Sequence, residues 1–380
     1  MNPSYFSAML FKLGILIVIG LSGTTGLAEA SSEKYQLEIV GEGLEHPWSF
    51  AFLPNGEILV TELHGNLRIV DNQGAVSKPL AGVPAVSKVK QGGLMDVVLH
   101  PRFLKNKLIY LSYTAAGEGG YGTEVARAEL GEGGLRNTTI IFRAIPKRAG
   151  GLHFGSRLLF HPDGSLFVTL GDRGHRPNGQ DLETHPGSIV RINDDGAIPG
   201  DNPSFPEQKK VRSEIYSYGH RNVQGIVFDD AADAIWTHEH GPQGGGELNL
   251  IKAGANYGWA QITHGKNYYT GTDIGEGEYR EGVERAVYEW TPSIAPSGMA
   301  LYKGSAIPNW EGDLFVGSLK FNCLVRLKMD GLRVIGEERL LEEFGRRIRD
   351  VRLGLDGHLY ILTDEKEGVI ARLVPAVNVQ

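Results

Sequence analysis

Four stretches of the chain repeat one template: "NGEILVTELHGNLRIV" (55–70), "DGSLFVTLGDRG" (163–174), "EGDLFVGSLKFNCLVRL" (311–327) and "DGHLYILTDEKEGVIARL" (356–373). Each opens on a glycine turn and continues with apolar and variable residues in alternation, the two-residue period of a half-buried strand. Three cross a short loop into a second strand carrying an arginine, at Arg68, Arg326 and Arg372. The fourth resumes after an insertion as "GSIVRIN" (187–193), with Arg191. Weaker copies lie at "NKLIYLSYTAAG" (106–117) and "DAIWTHEHG" (233–241). Six units in the chain beyond residue 30 average about 58 residues, against roughly 40–50 for a propeller blade, so the excess belongs in inter-strand loops. A doubly wound α/β fold needs a helix between most strands, and no long amphipathic helix interrupts the series. The pattern therefore predicts an all-β fold: a six-bladed β-propeller of four-stranded antiparallel blades, ahead of a β-sandwich. Loops converging at one mouth of the central channel would form the active site.

Of the 380 residues, 41% are hydrophobic and 22% charged, as in ordinary folded domains. Glycine is abundant, at 52 residues, but follows no G-X-Y period, which excludes collagen. The net charge of −7 with no basic run argues against nucleic acid and against an anionic membrane surface. Residues 1–30 stand apart. Lys12 precedes "LGILIVIGL" (13–21), followed by small residues and "AEA" ending at Ala30, the layout of a secretory signal peptide. Its apolar core is short for a membrane span, which takes roughly 20 residues, although an uncleaved anchor is the competing reading. This division leaves residues 31–380 as the propeller domain, in a periplasmic or secreted protein. The single cysteine, Cys323, excludes an internal disulfide and a lipid-modified N-terminal cysteine.

Polar residues gather at the ends of these strands. "GGLHFGSRLLFHPDG" (150–164) places His153 after a glycine pair, as a base or as a loop-tying side chain. "KQGGLMDVVLHP" (90–101) offers Gln91, "YGHRNVQG" (218–225) offers Arg221 beside Asn222, and "GSLK" (317–320) offers Lys320. "RRIRDVR" (346–352) puts Arg347 and Arg349 two apart, on one side of an extended segment. In "HEHGPQGGGELNLIKAGANYGW" (238–259) the Gly-Pro step and glycine run could turn backbone carbonyls toward a hard cation, with Glu247 adding a carboxylate. Each residue has a plainer role. Strand arginines commonly pair with surface carboxylates, glycine runs are commonly just loops, and the "HEH" histidines lack a third ligand for zinc. Taken together, one base, four cations and two amides from different blades describe a pocket for a flat polyanion with a metal beside it.

In "GHRNVQG", the "HGPQGGGELN…NYGW" block and "RIRDV" followed by "DG.LY.LTD", the chain resembles the soluble quinoprotein sugar dehydrogenases, PQQ-dependent enzymes acting on glucose and other aldoses. The resemblance runs from "HPWSFAFLPNG" (46–56) to "RDVRLGLDGHLYILTD" (349–364), and the compact stretch between Asp172 and Arg191 is similar to the aldose sugar dehydrogenase branch. It implies an oxidoreductase that turns the anomeric C1 hydroxyl of an aldose into the lactone. His153 would be the general base, and hydride would pass to the C5 carbonyl carbon of PQQ. Arg221 and Asn222 would hold the quinone oxygen that gains charge. Gln91, Tyr268, Lys320, Arg347 and Arg349 would grip the cofactor. The carbonyls of Gly241 and Pro242 would hold the Ca²⁺ that chelates PQQ, while Glu247 and the Tyr257 carbonyl would hold a second, structural calcium. Guanidinium matches carboxylate geometry, and the protein's task is to position and polarise the quinone.

Glucose-oxidising members carry an acidic residue immediately before the histidine, where this chain has Leu152. The base would then lean on Asp172. Two other readings stay open on the sequence: a Ca²⁺-dependent propeller lactonase, which would want several carboxylates around one metal, and an extracellular binding module without chemistry. The preferred aldose, the electron acceptor, and monomer versus homodimer are not encoded in any motif.

Overall fold

The computed structural model describes residues 35–208 and 210–376. The expected signal peptide lies outside them, and among the described residues no helix is long and apolar enough to cross a membrane. The strands form six antiparallel sheets. Blade 1 comprises Pro47–Phe52, Ile58–Glu62 and Asn66–Val70. Blade 2 comprises Leu94–Leu99, Leu108–Gly117, Gly120–Gly131 and Gly134–Arg143. Blade 3 comprises Leu158–Phe160, Leu166–Thr169, Ser188–Ile192 and Ile215–Tyr218. Blade 4 comprises Val223–Asp229, Ala234–Glu239, Gly246–Ile251 and Tyr288–Trp290. Blade 5 comprises Pro296–Leu301, Leu314–Ser318, Leu324–Asp330 and Arg333–Leu340. Blade 6 comprises Ile348–Leu353, Leu359–Thr363 and Gly368–Pro375, and takes its outermost strand, Tyr35–Leu44, from the start of the described chain.

That shared sheet closes the ring, and the cores prove the closure. One hydrophobic cluster fills each gap between successive blades, including the gap between blades 6 and 1, where Phe50, Val60, Leu362 and Ile370 pack together. Hydroxyls on the inner strands stitch neighbours. Thr61 donates to the Met95 carbonyl of the next blade at 2.5 Å, Ser112 to Ser156 at 2.6 Å, Thr169 to Val223 at 3.1 Å and Ser297 to Ile348 at 2.6 Å. The fourth strand of blade 1 is irregular: the N–H groups of Ser77 and Leu80 donate to Ile69 and Leu67 without forming a regular ladder.

One expectation changes. The repeated strands were expected to be half-buried, yet Ile58–Glu62, Leu166–Thr169, Leu314–Ser318 and Leu359–Thr363 are buried throughout. Each blade is covered on both faces by its neighbours, so the variable positions of the repeat are interior as well. The repeat arginines do pair with carboxylates. Arg191 meets Asp163 (2.8 Å), Arg326 meets Asp313 (2.6 Å) and Arg372 meets Asp356 (3.2 Å), each tying a third strand to the first turn of its own blade. Arg68, whose turn carries Asn55 instead, reaches Glu62 at 3.4 Å.

Candidate active site

Innermost and second strands are antiparallel, so the start of the one and the end of the other lie at the same end of the propeller. Gln91, His153, Arg221, Asn222 and Arg347 precede innermost strands, and Arg349 is the second residue of one. Asp172, Lys320 and Asp364 follow second strands. One mouth therefore receives them all. Beneath it, inner strands of several blades meet in a buried ionic cluster: Arg157 bonds Asp350 at 2.8 Å, and Arg352 bonds Asp96 at 2.7 Å and Asp350 at 3.0 Å. The Arg157 guanidinium lies 4.1 Å from the ring centre of Trp48, and its Nη2 donates to the Arg349 carbonyl at 3.1 Å. Through Trp48 and Arg349, which line the cavity, this cluster is tied to the cavity wall.

The base loop is held tightly. His153 has φ of +52°, Ser156 +82° and Arg173 +59°, left-handed conformations that are uncommon in non-glycine residues and concentrate at functional sites. Gln91 Oε1 accepts the His153 N–H at 2.8 Å, and Arg173 donates to the carbonyls of Leu152 and Gly150 while stacking on Phe154. Gly171 permits the crossing with the next loop, because a Cβ there would lie 2.3 Å from the His153 carbonyl oxygen. The Asp172 N–H then donates to the Arg221 carbonyl at 2.8 Å.

His153 Nδ1 lies 2.6 Å from Asp172 Oδ1, which also accepts the Gly174 N–H; Asp172 Oδ2 accepts the Trp259 indole N–H at 2.7 Å. A carboxylate so placed keeps the proton on Nδ1 and leaves the Nε2 lone pair free. Burial lowers the His153 pKa below its usual value, aided by the charges of Arg221 and Arg173, and outweighs the upward pull of Asp172. The imidazole is therefore neutral, with 13% of its side chain exposed to receive a substrate. Burial works to raise the Asp172 pKa, but its hydrogen bond to His153 and the Arg221 charge carry it below the usual range. Asp172 thus stands where Leu152 offers no carboxylate.

The mouth opens onto a cavity of about 920 Å³ lined by Gln91, Asn222, Lys320, Arg347 and Arg349, with Trp48, Met95 and Phe154 as apolar walls. Lys88 and Lys90 also line it, and Asp364 is its one carboxylate. Arg347 and Arg349 both meet Asp364, at 3.2 and 2.6 Å. Against the effect of burial, these two cations lower the Asp364 pKa to about 2. Among the described residues, Arg349 Nε is buried without an acceptor. Asn222 Oδ1 accepts the Gly155 N–H at 3.1 Å. Among the described residues, the Arg221 side chain forms no ion pair with a carboxylate, and its hydrogen bonds go to carbonyls. Its Nη1 donates to the carbonyls of His240 (2.9 Å) and Gly241 (2.8 Å), beside the Trp259 ring.

The remaining predicted residues lie elsewhere. Tyr268 is 60% exposed on the 252–287 loop and does not line the cavity. Pro242 packs over Gly265. Glu247 and Tyr257 line a separate cavity of about 250 Å³ in the outer part of blade 4. There Glu239, Glu247 and Glu289 are cross-strand neighbours in one row. Burial, then the charges of Glu239 and Glu289, push the Glu247 pKa up to about 8, and Glu289 Oε1 is buried with no partner. That environment favours a cation, although among the described residues no group of three or more His, Cys, Asp or Glu side chains is arranged to hold one. The "HEH" histidines form no metal pair: His238 is buried against Gly225, and His240 Nε2 bonds the Pro296 carbonyl.

Sequence reasoning missed Trp259, Arg173 and Asp364. Trp259 ends the quoted "NYGW" block, but its contact with Asp172 spans 87 residues and has no local signal. Arg173 directly follows Asp172, and Asp364 lies 15 residues after Arg349 in the "LTD" of the last repeat.

The family model for glucose/sorbosone dehydrogenase matches residues 44–372. The chain is 43% identical over 352 residues to the aldose sugar dehydrogenase YliI of Escherichia coli, covering 91% of this chain and 94% of that protein. It is 28% identical to quinoprotein glucose dehydrogenase B of Acinetobacter calcoaceticus, over 89% of this chain and 87% of the relative. The PQQ-bound aldose sugar dehydrogenase of Streptomyces coelicolor superposes with a TM-score of 0.74 at 28% identity, over 90% of this chain and 98% of that one.

Proposed function

The chain belongs to the glucose/sorbosone dehydrogenase family, and from that premise we propose that it oxidises the anomeric C1 hydroxyl of aldose sugars to the lactone, using PQQ and Ca²⁺. The observation that carries the reading is the hydrogen-bonded His153–Asp172 pair, whose histidine directly precedes Phe154 and Gly155 in the lining of a cavity walled by cations. Such a wall suits a tricarboxylate quinone, and the buried, unpaired Arg349 Nε is a ready donor to one of its carboxylates. Lactonase chemistry would want carboxylates around a central metal, whereas the one cavity carboxylate, Asp364, is already held by two arginines.

When bound, PQQ would supply the hydride acceptor. His153 Nε2 takes the proton of the C1 hydroxyl, a contribution of typically 10²–10⁴-fold, while Asp172 holds Nδ1–H and stabilises the imidazolium that forms. Asn222, in the cavity wall, would donate to the oxygen that gains negative charge, and Arg221, its chain neighbour outside that lining, would add its charge. Gln91, Lys320, Arg347 and Arg349 would orient the cofactor, and Tyr268 would join them only if its loop moved inward. The carbonyls of Gly241 and Pro242 would hold the cofactor-side Ca²⁺. Two carbonyls fall short of the roughly 6–8 oxygens calcium takes, and that of Gly241 already serves Arg221, so most of the shell would come from cofactor and water. The Glu247 carboxylate with the Tyr257 carbonyl would hold a structural calcium that relieves the repulsion within the glutamate row. The N-terminal pattern favours export to the periplasm or beyond.

The test is direct. Purified protein is titrated with PQQ and Ca²⁺, and aldoses are added while the quinone absorbance is followed. Sugar-dependent reduction of bound PQQ is the expected result; failure to bind PQQ removes the proposal.

A further inference from the structure

We propose that the mouth of the cavity selects aldoses bearing an anionic group remote from C1, held by Lys88 and Lys90. The inference rests on the sugar-oxidising reading and adds a substrate class to it. The segment carrying these lysines runs against the loop of the base. The Gln91 N–H donates to the Gly151 carbonyl at 3.0 Å, Gln91 Oε1 accepts the His153 N–H, and a Cβ on Gly151 would lie 2.8 Å from that of Lys90. Lys88 and Lys90 therefore line the cavity beside the loop that carries the base. Arg347 and Arg349 enter the cavity from blade 6.

The two pairs of cations also differ in their partners. The arginines share Asp364, while neither lysine has a carboxylate within ion-pair distance among the described residues. Both lysines are exposed, and Lys88 Nζ donates to the Lys90 carbonyl at 2.6 Å. Lys90 holds φ of +43°, a conformation that glycine or asparagine adopts at less cost. The cavity lining carries five lysines and arginines against one carboxylate, so a tricarboxylate cofactor would leave the wall net positive. An aldose with a carboxylate or a phosphate ester at its far end would present C1 to His153 and its charge to these lysines.

The experiment compares D-glucose, D-glucuronate and D-glucose 6-phosphate as substrates of the PQQ-loaded enzyme and of K88Q/K90Q, with K88E/K90E as a charge reversal. Expected is a rise in KM of about fivefold for the anionic sugars relative to that for glucose in the same variant, the size of exposed charge pairs. The charge reversal enlarges the effect, and added salt reproduces it in the parent enzyme. A loss confined to glucuronate assigns a carboxylate, and one confined to the ester assigns a phosphate. Equal effects on glucose overturn the proposal. So does weaker PQQ binding, or an effect that appears only with an anionic electron acceptor and vanishes with a cationic one. If no sugar of any charge reduces bound PQQ, it is the parent reading that has failed.

Discussion

Replacing Asp172 by asparagine probes the base with little change of shape. The carboxylate accepts three hydrogen bonds: from His153 and Gly174 on Oδ1, and from Trp259 on Oδ2. An amide has one oxygen, and the side bearing two donors wins it, so His153 keeps its Nδ1–H tautomer while the amide NH₂ faces the indole N–H. The geometry of the base survives and the negative charge does not. A hydrogen bond to a charged partner is worth about 1.5–3 kcal/mol, and each 1.36 kcal/mol is a factor of ten. The expected fall in kcat is therefore about 10- to 150-fold. Removing the anion also disfavours the imidazolium, so the His153 pKa, already below its usual value, moves lower. The acid limb of the kcat/KM–pH profile should shift to lower pH beneath a reduced plateau. Trp259→Phe, which removes one donor and keeps the carboxylate, should give a smaller loss and move the limb the other way. The assay is dye-linked aldose oxidation by PQQ-loaded enzyme across pH, with melting temperature as the folding control. An unchanged kcat in D172N, or an acid limb that rises, would refute the reasoning.

Four further outcomes are expected. His153→Ala should retain PQQ binding and lose about 10²–10⁴-fold in turnover, measured by quinone absorbance and steady-state rate; wild-type activity would remove His153 as the base. Arg349→Gln should weaken PQQ binding about 10- to 100-fold, since it deletes a charged donor beside a buried site, as read by tryptophan fluorescence titration. Asp364 contributes stability above its unfolded pKa of 3.8 that is lost as pH falls through about 2; melting curves of Asp364→Asn should show a shallower acid slope than the parent over that window. Chelation should lower the melting temperature of the parent protein but not of Glu247→Gln, and an equal drop in both would place the calcium elsewhere.

The glycine turns, the two-residue period and the recurring third-strand arginines were enough to specify a propeller, because each is a local device acting within a few residues. His153, Arg221, Asn222 and the Arg347/Arg349 pair were legible for a related reason: each sits in a short motif at a strand end, and antiparallel pairing sends those ends to one mouth. What surrounds them was decided by the closed ring. Trp259 reaches Asp172 and Lys90 lies against Gly151 because successive blades stack side by side, and Arg157 reaches Asp350 because blades 3 and 6 face each other around an axis. The same closure buries both faces of strands whose pattern reads as half-exposed, and it leaves Tyr268 on an outer loop although it follows the "NYGW" block by only nine residues. Periodicity records which side of its own strand a residue occupies. Which loop meets it from another blade depends on ring closure, and that leaves no periodic trace along the chain.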